Sequence, residues 1–212
     1  MKNTQVIKLN CGTERERAIR KAAHYMHDGK IVVFPTDTVY GIGTNALDAR
    51  ACSKVYKIKG REKGKALIIL ASDMRMLDKV AVIPKEYRAA LKQAWPAPLT
   101  VIAKPKKCVP RLILAPDGTT SVRIPDNDTT LALIRYAKVP VVAPSANPSG
   151  LEPSKTAMQA SNYFNGKVDL ILDAGRSARR KPSTILRLSD MQIVRKGAFQ
   201  TSDVKRLMSS NK

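Results

Sequence analysis

The chain has 212 residues, 43% of them hydrophobic and 26% charged, a balance typical of a globular protein with one sizeable core. Lys and Arg number 38 against 17 Asp and Glu, and the net charge of +21 predicts an anionic partner, either nucleic acid or a polyphosphate. The 3 cysteines lack C-x-x-C spacing, which argues against a zinc ribbon, and without an apolar membrane-spanning run we expect a cytoplasmic protein with no membrane partner.

Helix and strand patterns alternate along the chain. Thr13 and Glu16 have the spacing of a capping box before a helix over 13–28, and a buried strand over 31–34 leads into the loop PTDTVYGIGTNA. The other predicted helices cover 48–57, 84–94, 129–137, 154–164 and 202–208, and the other predicted strands cover 66–70, 99–103, 121–124, 141–143, 168–172, 184–188 and 192–194. This order predicts an α/β domain with a mixed sheet, because some connections between strands are too short for crossover helices.

Polar segments adjoin several of the predicted strands. They are PTDTVYG, PSANPSG, GRSARRKPST, VRKG and the basic KGREKGK, which precedes the apolar run ALIIL. Loops at the strand ends of α/β sheets commonly bind ligands, since the sheet fixes their position. Each segment also has a simpler interpretation: KGREKGK as a solvated turn, and PSANPSG as consecutive turns built from the usual turn residues.

The side chains in these segments bind anions rather than shuttle protons. Hydroxyls, amides, ammonium groups and guanidiniums can position a polyanion and stabilise developing charge, as nucleotidyl transfer requires. Arg123 lies between apolar neighbours, which favours a strand residue facing a wet cavity over an unpaired core charge. The two histidines, His24 and His27, have no third ligand nearby, and we predict no protein metal site.

Seven ordered motifs resemble those of the YrdC-like domain family, which is found in threonylcarbamoyl-adenylate synthases. They are PTDTVYGIG, KGR with a later Lys65, WPAPLT, SVRIP, PSANPSG, PST and VRKGAF. The resemblance implies a twisted mixed sheet flanked by helices around a positively charged concave cavity. It also implies a single domain over 1–212, with a core from about 13 to 199 and a short C-terminal helix or tail over 200–212.

The resemblance further implies a reaction. L-threonine, bicarbonate or carbon dioxide, and ATP would give threonylcarbamoyl-AMP and pyrophosphate, for the N6-threonylcarbamoyladenosine modification of tRNA. Mg²⁺ would accompany ATP. The implied partners are proteins of the threonylcarbamoyl transferase complex, with tRNA or double-stranded RNA as a further one.

Family roles transfer onto matching residues. The implied ATP ligands are Lys59, Arg61, Lys65, Thr119, Ser145, Asn147, Ser154 and Arg195. Among them Lys59 and Arg61 would stabilise charge, and no residue is assigned as an acid or base. The implied threonine ligands are Thr36 or Thr38, Ala143 through its backbone, Ser183, and Arg123 as a clamp on the carboxylate.

Two departures from the family pattern are visible. Leu70 stands where many members have a His that helps to hold threonine, and Ala97 replaces the Gly of a WPGP motif. With about a dozen residues after Phe199, the chain resembles the short, single-domain branch.

Three alternative functions stay open at this point. A non-catalytic RNA-binding protein of the same fold fits the charge, although only 5% of residues are aromatic. A paralogous branch lacks the Ser-x-Asn signature that Ser145 and Asn147 preserve here. A carbamoyltransferase of hydrogenase maturation would carry additional zinc-binding and acylphosphatase modules.

Overall fold

The computed structural model describes residues 3–177, 181–200 and 202–204. The strands are β1 (Gln5–Lys8), β2 (Val32–Phe34), β3 (Gly41–Asn45), β4 (Ile68–Leu70), β5 (Ala81–Val82), β6 (Leu99–Pro105), β7 (Thr120–Arg123), β8 (Val141–Val142), β9 (Leu170–Asp173), β10 (Thr184–Arg187) and β11 (Gln192–Arg195). The helices are α1 (Thr13–His27), α2 (Ala49–Lys59), α3 (Met74–Leu77), α4 (Lys85–Ala94), α5 (Asp128–Ala137) and α6 (Ala157–Phe164), with a 3₁₀ helix over Arg111–Ile113. None of the helices within these ranges is long and apolar enough to cross a membrane.

The strands form one mixed sheet in the order β1-β9-β2-β3-β8-β4-β7-β6-β10-β11, and β5 pairs with β6 outside this path. The pairs β1/β9, β2/β9, β4/β7 and β6/β10 are parallel. The pairs β2/β3, β3/β8, β4/β8, β6/β7 and β10/β11 are antiparallel. The predicted mixed α/β architecture is therefore confirmed.

Alternate strand residues enter two hydrophobic clusters, one on each face of the sheet. Val32 and Phe34 belong to the cluster that includes residues of α1 and α5, whereas Val33 belongs to the cluster that includes residues of α2, α4 and α6. This division follows from the two-residue period of a strand, which sends successive side chains to opposite faces. The sheet is thus flanked by helices, as the resemblance implied.

The sequence pattern at the start of α1 is misleading. Gly12 precedes the helix and supplies no side-chain cap. The Glu16 carboxylate accepts hydrogen bonds from Arg20 and Tyr136, so the predicted capping box does not form. The helix is held instead by five buried side chains on one face, Ala18, Ile19, Ala22, Ala23 and Met26.

The segment predicted as the loop PTDTVYGIGTNA contains a strand. Residues 41–45 form β3 in the middle of the sheet, between β2 and β8. A Cβ atom at Gly43 would lie 2.0 Å from the carbonyl oxygen of Val142, so the two backbones approach too closely for any other residue. Glycine weakens strand propensity, which is why the pattern indicated a loop.

Other differences lie in short elements and at helix boundaries, and the sequence did not predict helix α3 or strand β5. Strand β1 was not among the predicted elements, and α6 begins at Ala157 because Thr156 caps it, its hydroxyl accepting from the Gln159 amide. Of the predicted closing helix over 202–208, residues 202–204 are helical and the remainder lies outside the described residues.

Candidate active site

A cavity of about 560 Å³ lies against one face of the sheet, a volume suited to a small-molecule ligand. Its floor consists of strand side chains, namely Ile68, Thr100, Ser121, Arg123, Ile185 and Arg195. Its walls come from residues 36, 38–41, 143–145, 152–153, 155 and 182–183, together with Arg61 and Ala66. Ser121 and Arg123 both face the cavity because they are two residues apart on β7, while Val122 between them packs into the core.

Arg123 supplies a buried guanidinium at the floor of the cavity. Its Nη2 atom lies 3.2 Å from Asp37 Oδ1, while Nε and Nη1 have no hydrogen-bond partner among the described residues. Burial lowers the pKa of Arg123, and the negative charge of Asp37 opposes that effect. A buried guanidinium with unused N–H groups is suited to bind a carboxylate.

A second guanidinium lies close to the first. Arg195 donates through Nη2 to the carbonyl oxygen of Ser183 at 2.8 Å and to its hydroxyl at 3.2 Å. Burial lowers the pKa of Arg195, and the positive charge of Arg123 lowers it further. The Ser183 hydroxyl also lies 2.8 Å from the Thr100 hydroxyl, so this corner of the cavity is polar.

The hydroxyls of Thr36 and Thr38 both line the cavity, and their hydrogen bonds differ. Thr36 donates its single hydroxyl proton to the carbonyl oxygen of Val39 at 2.6 Å. In the 3.0 Å contact between the two hydroxyls, Thr38 must therefore be the donor. Thr38 keeps its oxygen lone pairs free to accept a hydrogen bond from a ligand, whereas Thr36 mainly braces the loop.

Lys59 joins two segments that the sequence placed far apart. It ends α2, where Gly60 adopts the left-handed conformation with a φ of 59°. Its ammonium nitrogen lies 2.6 Å from the carbonyl oxygen of Ser145 and 2.5 Å from that of Asn147. The Ser149 amide in turn donates to the Lys59 carbonyl at 2.8 Å, so KGREKGK and PSANPSG contact each other directly.

The Asn147 side chain fixes the shape of its own loop. Its Oδ1 atom accepts from the Ser145 hydroxyl at 2.6 Å, and its Nδ2 atom donates to the carbonyl oxygens of Pro148 and Leu151 at 2.8 Å. Ser145 lines the cavity next to this network. The Ser-x-Asn signature thus holds a preformed loop at the cavity wall.

Arg61 extends from the other segment into the cavity wall. Its Nε atom donates to the Lys65 carbonyl at 3.1 Å and its Nη2 atom to the Ala66 carbonyl at 2.9 Å. Burial lowers the pKa of Arg61. Because Arg61 and Ser145 line the same cavity and Lys59 connects their segments, the two motifs form one continuous wall.

The structure divides the sequence-predicted site residues into two groups. Thr36, Thr38, Arg61, Arg123, Ala143, Ser145, Ser183 and Arg195 line the cavity. Within the described part of the chain, Lys59, Lys65, Thr119, Asn147 and Ser154 are absent from that lining. Their polar groups bind protein instead: Lys65 pairs with Glu62 at 3.0 Å, Thr119 donates to Asp117, and Ser154 donates to Ala146.

Several lining residues were not predicted. Glu152 and Lys155 add a carboxylate and a cation at the rim, 3.5 Å apart, and Tyr40 and Ser121 line the interior. Ser121 was accessible to sequence reasoning, because it lies two positions from Arg123 on the same strand. Glu152 and Lys155 lie in a loop without periodicity, which leaves no pattern to detect.

Groups of three or more His, Cys, Asp or Glu in positions to hold a metal ion are not found among the residues that the structure describes. His24 pairs with Asp28 at 3.3 Å, and His27 Nδ1 lies 3.0 Å from the Ala137 carbonyl oxygen. Both histidines therefore take part in contacts at the end of α1.

Lys59→Met is expected to lower the free energy of unfolding by about 2 kcal/mol, because two buried carbonyl groups lose their donor. Burial, with the positive charge of Arg61 adding to it, lowers the pKa of Lys59 to about 7. An unfolded Lys keeps its proton up to about pH 10.4. The unfolded chain thus binds more protons between these two values, and this group makes wild-type stability rise with pH across that window.

Urea unfolding of the wild type and Lys59→Met at pH 7 and pH 9 measures this effect. The stability gap should widen at pH 9, since a neutral amine keeps two N–H donors for the two carbonyls. Lys57→Met is the matched control, because Lys57 is exposed on the same helix. The difference in stability between this variant and the wild type should be the same at both pH values. A gap that is equal at both pH values would contradict the burial of the Lys59 charge.

Comparisons with known proteins identify the family. The Sua5/YciO/YrdC family model, described as "Telomere recombination", matches residues 24–197. Threonylcarbamoyl-AMP synthase of Pyrococcus abyssi is 35% identical over 196 residues, which cover 91% of this chain and 58% of that protein. Threonylcarbamoyl-AMP synthase of Thiobacillus denitrificans is 31% identical over 189 residues, covering 88% of this chain and 100% of that protein.

A solved structure gives the same result in three dimensions. The crystal structure of P. abyssi Sua5 complexed with L-threonine is similar with a TM-score of 0.89 and 33% identity, covering 97% of this chain and 60% of that one. The chain thus spans a little over half the length of the Pyrococcus protein. Because the family model matches most of its residues, this chain belongs to the Sua5/YciO/YrdC family.

Proposed function

We propose that this chain is a threonylcarbamoyl-AMP synthase, acting in the cytoplasm as one YrdC-like domain. It would convert L-threonine, carbon dioxide or bicarbonate, and ATP into threonylcarbamoyl-AMP and pyrophosphate. The observation that carries the proposal is that one cavity contains both a buried guanidinium with unpaired N–H groups, Arg123, and a wall made by Arg61 and Ser145.

Threonine would bind at the Arg123 end of the cavity. Its carboxylate would take the unused N–H groups of Arg123, and its amine or hydroxyl would donate to the free lone pairs of Thr38. Ser183 and Ala143 also line the cavity, and the Ser183 hydroxyl and the Ala143 backbone would supply further polar contacts. Leu70 pairs with Arg123 across β4 and β7, which gives this end an apolar neighbour where many family members have a His.

The nucleotide would bind along the wall that Arg61 and Ser145 form, next to Arg195 in the floor. Arg61, Lys155 and Arg195 are cations in the cavity lining, and Ser145 supplies a hydroxyl. Lys59 is bonded to two carbonyls, so in this geometry it shapes the nucleotide wall from behind. The other predicted ATP ligands would contribute to ATP binding through the loops that they stabilise, or directly after a rearrangement on binding. They are Lys65, Thr119, Asn147 and Ser154.

The reaction has two steps in this arrangement. The neutral amine of threonine attacks carbon dioxide, forming a C–N bond and releasing a proton, to give a carbamate. A carbamate oxygen then attacks the α-phosphorus of ATP in line, and pyrophosphate leaves. The Arg61 and Arg195 guanidiniums would neutralise charge on the departing phosphates, and holding the substrates together supplies much of the rate.

Mg²⁺ would enter as part of the nucleotide substrate, held mainly by phosphate oxygens. Glu152 is the carboxylate in the described lining, and its side chain is 84% exposed beside Lys155. The donor set on this chain therefore fits a nucleotide-borne ion better than a resident one.

The test is pyrophosphate release by the pure protein with ATP, Mg²⁺ and bicarbonate. Release should require an amino acid and be strongest with L-threonine, compared with L-serine, L-valine and D-threonine. Release that is equal with all four, or independent of bicarbonate, would contradict the proposal.

The net charge of +21 favours a second property, contact with RNA. We infer that tRNA and the transferase proteins that receive threonylcarbamoyl-AMP are the macromolecular partners. A salt-sensitive tRNA affinity together with no threonine-dependent release would favour the purely RNA-binding alternative.

A further inference from the structure

Asp37 is a buried carboxylate that none of the binding roles above includes. It lies in the loop between β2 and β3, flanked by Thr36 and Thr38, both of which line the cavity. The Asp37 side chain is 2% exposed and is not among the described lining residues. It therefore lies behind the cavity surface.

The partner of Asp37 is Arg123. Asp37 Oδ1 lies 3.2 Å from Arg123 Nη2, and neither Oδ1 nor Oδ2 has a hydrogen-bond partner among the residues described. Two charged side chains that are 2% and 5% exposed are costly to bury unless they act on each other or on a ligand. The Nε and Nη1 groups of Arg123 are also buried without a hydrogen-bond partner among the described residues.

Asp37 is a negative group beside Arg123, and a second positive group lies nearby. Arg195, the neighbouring guanidinium, is bound to Ser183 and repels Arg123. Without the negative charge of Asp37, no attraction would offset the repulsion between Arg123 and this second cation. A substrate carboxylate approaching from the cavity would then complete a set of two cations and two anions.

We propose that Asp37 is a positioning residue that orients Arg123 for recognition of the threonine carboxylate. This inference rests on the proposed function. Asp37 acts only through Arg123, so its removal weakens recognition of a carboxylate and leaves the other contacts of the substrate unchanged. If Asp37 instead competed with the substrate for Arg123, its removal would tighten threonine binding.

The test compares Asp37→Asn with the wild type on two amines, L-threonine and L-threoninol, which lacks the carboxylate. We expect kcat/KM for L-threonine to fall about tenfold or more, and kcat/KM for L-threoninol and KM for ATP to change less than about twofold. Calorimetric titration with L-threonine should give the same loss of affinity. Asp190→Asn, which removes an exposed carboxylate 2.9 Å from Arg187, is the matched control and should leave every value unchanged.

An equal loss on both amines would assign Asp37 a general structural role and overturn the inference, as would unchanged or tighter threonine binding. Should Asp37→Asn not fold, Asp37→Glu replaces it, because one added methylene displaces the carboxylate and should produce the same selective loss. A wild type that neither binds threonine nor releases pyrophosphate would defeat the proposed function itself. If the wild type is active and Asp37→Asn loses activity equally on L-threonine and L-threoninol, only the role proposed for Asp37 is contradicted.

Discussion

Arg123→Lys is expected to lower kcat/KM for L-threonine by about a hundredfold, with KM for ATP close to that of the wild type. The variant keeps a positive charge beside Asp37 but loses the planar fork, and hydrogen bonds to charged groups contribute about 1.5 to 3 kcal/mol. The charge must be retained, because leaving the buried carboxylate of Asp37 unpaired would destabilise the fold by about 3 to 5 kcal/mol. A loss of folded protein would then lower the measured rates as well.

Initial rates of pyrophosphate release at varied threonine and varied ATP measure this effect. Arg187→Lys is the matched control, because Arg187 is a surface residue at the end of β10 that pairs with Asp190. A variant whose threonine and ATP parameters fall by the same factor would contradict the assignment of Arg123 to the threonine carboxylate.

Arg61→Met is expected to lower kcat by about a hundredfold or more, through loss of charge stabilisation on the leaving pyrophosphate. Threonine affinity, measured by calorimetry without ATP, should stay within about twofold of the wild type, because Arg61 belongs to the wall proposed for the nucleotide and threonine is proposed to bind at Arg123. The side chain also donates to the carbonyls of Lys65 and Ala66, so urea unfolding must accompany the kinetics.

Lys63→Met is the control for Arg61, since Lys63 is an exposed cation in the same segment. It should leave both kcat and threonine affinity unchanged. If Lys63→Met reduced kcat as strongly as Arg61→Met, the positive charge of the whole segment would stabilise the leaving pyrophosphate. The specific role proposed for Arg61 would then be contradicted.

Much of the fold follows from local patterns. The helices α1, α2, α4 and α5 match their predicted ranges within two residues at each end. Strand β3 was missed because its Gly43 indicated a loop. Glycine is required there by the close approach of the Val142 carbonyl, which belongs to a residue about 100 positions later in the sequence. Position in the sheet, rather than propensity, determines that residue.

The candidate site was predictable in composition but less so in geometry. The cations and hydroxyls of the motifs identify an anion site, and eight of the predicted ligands line one cavity. The sequence does not show that Lys59 turns away to bind the carbonyls of Ser145 and Asn147. Nor does it show that Asp37 pairs with Arg123, since both facts depend on which loops the topology brings together.

The most direct test of the central claim is mass spectrometry of the product formed from ATP, L-threonine and ¹³C-bicarbonate by this chain alone. We expect threonylcarbamoyl-AMP carrying one labelled carbon, formed in equal amount to pyrophosphate. Pyrophosphate or AMP accumulating without a labelled adenylate would show that the cavity does not join the three substrates, and would contradict the proposed activity.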